Sequence, residues 1–259
     1  MTDFTYPGYV ALLHALKARV YAFAGFAAAP DLLASGRRFV LLRHDVDFDL
    51  EKALQMAELE AQQDVTATYF LMVRSDHYNL FSGEGAQRVS RILELGHRCG
   101  LHFDPAAYPG SPGVEALAAA CRREVQMLQD WFGGPIDIVS FHRPSELVLS
   151  GHPALSAPLP HTYLPLFVHD IQYFSDSRGE WRFGHPCQGA AFAAGRPLHL
   201  LVHPIWWGDH PAAPVQLLGD FLRRRALALE ASVARNCSIY RPAAPAPTRE
   251  RPGAAGRRE

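Results

Sequence analysis

Apolar and polar residues follow two rhythms along this chain. The helical one places Val10, Leu13 and Lys17 at helix-like spacing within residues 8–23. It recurs at Leu50, Ala53, Leu54, Ala57 and Ala61, one face of a helix that Asp49 opens and that runs to about residue 63. Further helices are predicted near 86–95, over 114–131, where Val114, Leu117, Ala118, Cys121, Val125 and Leu128 recur before Gly133-Gly134-Pro135, and over 215–235. The second rhythm is short, β-branched and aromatic. It predicts strands at 39–45, 65–73, 96–104, 136–141 and 198–203. From 147 to 195 prolines and glycines break every period, and the tail 241–259, rich in Pro, Ala and Arg, is expected to be disordered. Strand and helix alternate from Phe39 onward, which is the pattern of parallel β/α units in an α/β fold.

Polar residues cluster at the strand ends. Asp45 and Asp47, His102 and Asp104, His142 and Arg143, and His203 each follow an apolar run, and in a β/α barrel such ends converge on one site. Side chains of a strand alternate between faces, so Asp45-x-Asp47 points both carboxylates the same way. Two crowded acids are costly without a cation or a shared proton, so one carboxylate is expected on a metal and the other on water as a base. The plainer alternative is a turn or a helix cap.

Composition narrows the classes of function. At 259 residues and 48% hydrophobic, the chain can bury a large core, and residues 1–240 are expected to form one domain. A formal charge of −1 argues against nucleic acid or an anionic membrane held by bulk electrostatics. Four scattered cysteines without a C-x-x-C pair, no basic and apolar leader at Met1–Phe4, and no apolar run of spanning length predict a cytoplasmic chain without membrane insertion. Oligomeric state is not legible.

In this order, five segments resemble the motifs of the polysaccharide deacetylase (NodB-homology, carbohydrate esterase 4) superfamily over about residues 39–207: His44-Asp45-Val46-Asp47, Gly96 to His102, Ser140-Phe141-His142-Arg143-Pro144, Ser175 to Trp181, and Leu201-Val202-His203-Pro204. The resemblance implies an irregular (β/α)7-type barrel and a divalent metal ion, Zn²⁺ by preference. It implies Asp45 as base, Asp47 and His102 as ligands, Arg143 rather than Arg43 steadying Asp45, Asp176 bracing Arg143, and His203 as general acid. Trp181, with Trp206 or Trp207, would line a sugar groove; the plain alternatives are a structural Arg143–Asp176 pair and tryptophans of the core. Two departures stand out. Ala106 occupies the place four residues after His102 where a second histidine is usual, and His142 is added before Arg143. His142 is the expected replacement ligand, with Asp104 as the competitor. The implied activity is removal of an acyl group from an N-acylated amino sugar, small or carrier-linked, in surface-polysaccharide biosynthesis. The other class of function is a carbohydrate-binding or scaffolding protein on a degenerate barrel.

Overall fold

The computed structural model describes residues 4–110 and 113–241, so the expected disordered tail lies outside the described residues except for Arg241. Among the described residues there are seven strands: β1 (Ala22–Phe23), β2 (Phe39–Val46), β3 (Thr68–Leu71), β4 (Arg98–Phe103), β5 (Val139–Phe141), β6 (Gln172–Ser175) and β7 (Leu198–Val202). All pair in parallel, in the order β5-β4-β3-β2-β7-β6, with β1 beside the start of β2. Helices α1 (Tyr6–Ala18), α2 (Ala29–Ala34), α3 (Leu50–Gln62), α4 (Gly83–Glu94), α5 (Val114–Phe132), α6 (Glu146–Leu149), α7 (Ala190–Ala193) and α8 (Pro214–Asn236) intervene or follow. This is the expected α/β architecture, a parallel sheet curled into an irregular barrel. Among the described residues β5 and β6 do not pair, so the barrel has a seam there.

The residues fall into two units, Met1–Leu217 and Leu218–Glu259, with the boundary inside α8. The first holds the whole sheet. The second carries exposed apolar side chains at Leu222, Leu227 and Leu229. No described helix is long and apolar enough to cross a membrane.

Local chemistry accounts for the elements. Asp49 caps α3 by accepting from the Glu51 and Lys52 amides at 2.9 and 3.3 Å. Gly133, at φ +70, ends α5. β3 is shorter than its β-branched run suggested, because the Val65 amide turns back onto Glu60 O (2.9 Å) to close α3 and the Met72 amide donates to Tyr78 Oη (2.9 Å). β6 lies in the stretch where the sequence showed no period.

Strand β2 organises the interior. Its odd residues point inward: Phe39 and Leu41 pack with Phe26, Phe70, Ile138 and Phe167 as the barrel floor, and Arg43 and Asp45 stand above them. Gly100 on β4 admits Phe70, since an added Cβ would lie 2.7 Å from that ring. The even residues face the helices. There His44 Nε2 donates to Glu60 Oε1 of α3 at 2.6 Å, and the same carboxylate accepts from Tyr69 Oη at 2.8 Å and from the Tyr9 hydroxyl of α1. Burial opposes the charge on Glu60, yet His44, with further help from His97 and Tyr9, holds its pKa below the usual glutamate value.

A depressed folded pKa stabilises the protein at neutral pH, and this contribution is lost as pH falls through the folded value. Glu60→Gln is therefore expected to lower unfolding free energy by about 2 kcal/mol at pH 7, with a smaller difference near the acid limit, measured by urea denaturation across pH.

Candidate active site

The ends of β2, β4, β5, β6 and β7 surround one cavity of about 480 Å³, lined among others by Asp45, Asp47, His102, His142 and His203. Strand alternation delivers these groups. Arg43 and Asp45 are inward on β2 and Asp47 follows it; His102 is inward on β4; Ser140 and then His142 continue the inward parity of β5.

Asp47, His102 and His142 each present a donor atom, and these atoms lie within 4.8 Å of one another. Asp47 Oδ1 is 3.0 Å from His102 Nε2 and 3.4 Å from His142 Nδ1. Burial opposes the charge on Asp47, but the neighbouring His102 and His142 hold its carboxyl far below the usual range. One carboxylate and two imidazoles opening on a cavity suit a Zn²⁺-like ion with positions left for water and substrate. The surroundings fit this as well. Arg43 Nη2 donates to Ser140 Oγ, and Ser140 Oγ lies 3.4 Å from Asp45 Oδ2, its own acceptor. The remaining Ser140 lone pair accepts from His102 Nδ1–H at 3.0 Å, which leaves His102 Nε2 as a bare donor atom beside Asp47. Asp104 is not in this group: it accepts from the Ala106 amide at 3.0 Å and pairs with Arg143.

Three expectations are corrected. Asp45 is held by Arg43, not by Arg143. The Arg43 fork meets Asp45 with both bonds at 2.7 Å, and Arg43 is 1% exposed, with its guanidinium 5.2 Å from the Phe70 ring centroid. Burial opposes the Asp45 charge, and Arg43, with His102, keeps its pKa lowered. The reason is periodicity: Arg43 is two residues before Asp45 and shares its face, whereas Arg143, just past β5 at φ +49, turns to Asp104. Asp176, in turn, does not brace Arg143. It accepts from the His203 amide (3.0 Å), His203 Nδ1 (2.6 Å) and Trp207 Nε1 (2.9 Å). Trp181 does not line the cavity; it packs 5.8 Å from Phe4 and 6.2 Å from Trp207, ring centroid to ring centroid. Trp206 does line it, along with Tyr163, Tyr173 and Phe183, which the sequence reading passed over.

His203 also lines the cavity, its Nε2 3.9 Å from Asp47 Oδ2. Burial lowers its pKa, but Asp176 outweighs this and raises it to about 9. With Nδ1 engaged by Asp176, Nε2–H is the proton the ring offers to the cavity.

No protein-family model matches the chain, and no curated protein matches it. Among solved structures it is similar to the Xyl-CE4 domain of a multidomain xylanase from the hindgut metagenome of Trinervitermes trinervoides, at 14% identity over 65% of this chain and 74% of that one, TM-score 0.42. It is similar to the chitin deacetylase of Colletotrichum lindemuthianum, at 18% identity over 71% and 81%, TM-score 0.43. A family 4 carbohydrate esterase from Bacillus anthracis shares 15% identity over 80% and 89%, TM-score 0.42.

Two outcomes are expected from this geometry. Zinc titration followed by calorimetry should show one site per chain, lost in His102→Ala and His142→Ala and retained in Asp104→Asn. Arg43→Met should destabilise the fold by about 3–5 kcal/mol in urea denaturation by stranding the buried Asp45 carboxylate, and Arg43→Met/Asp45→Leu should recover most of that loss.

Proposed function

We propose that this chain is a metal-dependent amide hydrolase that removes an acyl group from an N-acylated amino sugar, in the cytoplasm and in surface-polysaccharide biosynthesis. The observation that carries the reaction class is the convergence of Asp47, His102 and His142 on one point, with an ionised carboxylate on one side and a carboxylate-bound imidazole on the other. Amide hydrolysis needs an attacking water, a polarised carbonyl and a proton for the departing amine. Asp47, His102 and His142 would hold a divalent ion, which would supply Lewis acidity for the acyl oxygen and for an attacking water.

The chain's own residues divide the remaining work. Asp45 takes the proton from the attacking water, and the Arg43 fork fixes the carboxylate's orientation. His203 gives its Nε2 proton to the leaving nitrogen, while Asp176 fixes the ring through Nδ1 and the main-chain amide. Tyr163, Tyr173 and Trp206 line the cavity and would contact a sugar ring there.

A specific observation favours the second reading, a carbohydrate-binding protein: Arg43 engages both oxygens of Asp45, which weakens that carboxylate as a base. Acetate release from N-acetylated amino sugars separates the two. The hydrolase reading expects release that stops on chelation and returns with zinc. Asp45→Asn should lower turnover by about 10²- to 10⁴-fold with zinc binding kept, and His203→Ala by a similar factor. Sugar binding without acetate release by the zinc-loaded protein would establish the binding role instead.

A further inference from the structure

The mouth of the cavity carries a charge pattern that the hydrolytic groups do not use. Arg143, Arg178 and Arg182 all line it. Among the described residues, the only acids lining it are Asp45, already paired with Arg43, and Asp47, already faced by three histidines. Arg143 shares its charge with Asp104, but Arg178 and Arg182 are exposed and form no ion pair among the described residues. In a chain of net charge −1, three guanidinium groups around one opening are a local feature and not a reflection of general basicity.

The backbone beneath these side chains is unusual. Only four described non-glycine residues have positive φ, and two of them are Arg143 (+49) and Arg178 (+66). Left-handed backbone is sterically unfavourable for a long side chain, and such strain concentrates where a side chain must be aimed. The carrier is also well anchored. The Gly179 amide donates to Asp176 O at 2.9 Å, closing a turn around Arg178, and the Arg182 amide donates to Ser175 O at 3.3 Å. That turn starts at Asp176, the residue that fixes His203. Whatever Arg178 grips is thereby held in register with the proton donor for the leaving group.

We infer that Arg178 and Arg182, together with Arg143, bind an anionic group on the substrate, a phosphate ester or a carboxylate carried by the acylated sugar. Guanidinium forks match both groups in a bidentate manner. This rests on the hydrolase reading for the nature of the substrate but not for the existence of the anion site.

The test is calorimetric binding to the zinc-loaded full chain of three probes: N-acetylglucosamine 1-phosphate, the methyl glycoside of N-acetylglucosaminuronic acid, and neutral methyl N-acetylglucosaminide. At least one anionic probe should bind about tenfold tighter than the neutral one at low salt, with the advantage shrinking as salt rises. Which anion leads decides between phosphate and carboxylate. Arg178→Gly/Arg182→Ala should bring the anionic probes down to the neutral level. Because glycine relieves the left-handed strain at 178, thermal stability should hold or rise, so the loss cannot be unfolding. In His102→Ala the preference should persist without zinc. Equal affinity for all three probes, a preference that survives in the double arginine variant, or one that disappears with the zinc site would each overturn the inference. Hydrolysis of neutral sugars with no anion preference would sink this inference alone, whereas an arginine-dependent preference without any acyl release would uphold it and sink the hydrolase reading.

Discussion

A guanidinium shut inside a barrel is the constraint around which this site is arranged. Arg43 rises from an aromatic and aliphatic floor, where a lone cation would be ruinously desolvated, and it is tolerable there because Asp45 meets its fork and Ser140 takes a further N–H. Each partner then constrains another group. Asp45 is kept ionised and oriented, and Ser140, with one lone pair left, sets the tautomer of His102 and so exposes Nε2 toward Asp47. A chain of hydrogen bonds from β2 through β5 to β4 thus fixes the polar groups above the hydrophobic floor.

The opposite face of the same strand serves the scaffold. His44, between Arg43 and Asp45 in sequence, points away from the cavity and joins Glu60, Tyr9 and Tyr69 in a buried network that ties α1 and α3 to β2 and β3. Adjacent residues of one short motif therefore divide between site chemistry and packing, and strand geometry alone makes the assignment.

Much of this was legible in the sequence because it depends on local period. Alternation placed Asp45 and Asp47 together, and helical spacing found α3, α5 and α8. The same rule carried two residues back from Asp45 puts Arg43 on its face, a signal that the likeness of Arg143 to a family motif obscured. What could not be read were contacts set by turns. Arg143 leaves β5 with positive φ and meets Asp104; Asp176 begins a turn that aims it at His203; Trp181 packs against Phe4 from the far end of the chain. The sequence between 147 and 195 carries no period because its elements there are too short to show one, β6 being four residues long.

The seam between β5 and β6 has a bearing on how such a protein diversifies. The connections that border the cavity near that gap, around Arg143–Leu149 and Ser177–Phe183, are not bound into a continuous ladder of main-chain bonds. Loops at such a place can lengthen, shorten or exchange side chains while β2, β4 and β7 keep their register. New clientele could then be recruited by remodelling these margins, while Asp45, Asp47, His102 and His203 on β2, β4 and β7 or just beyond their ends are inherited intact.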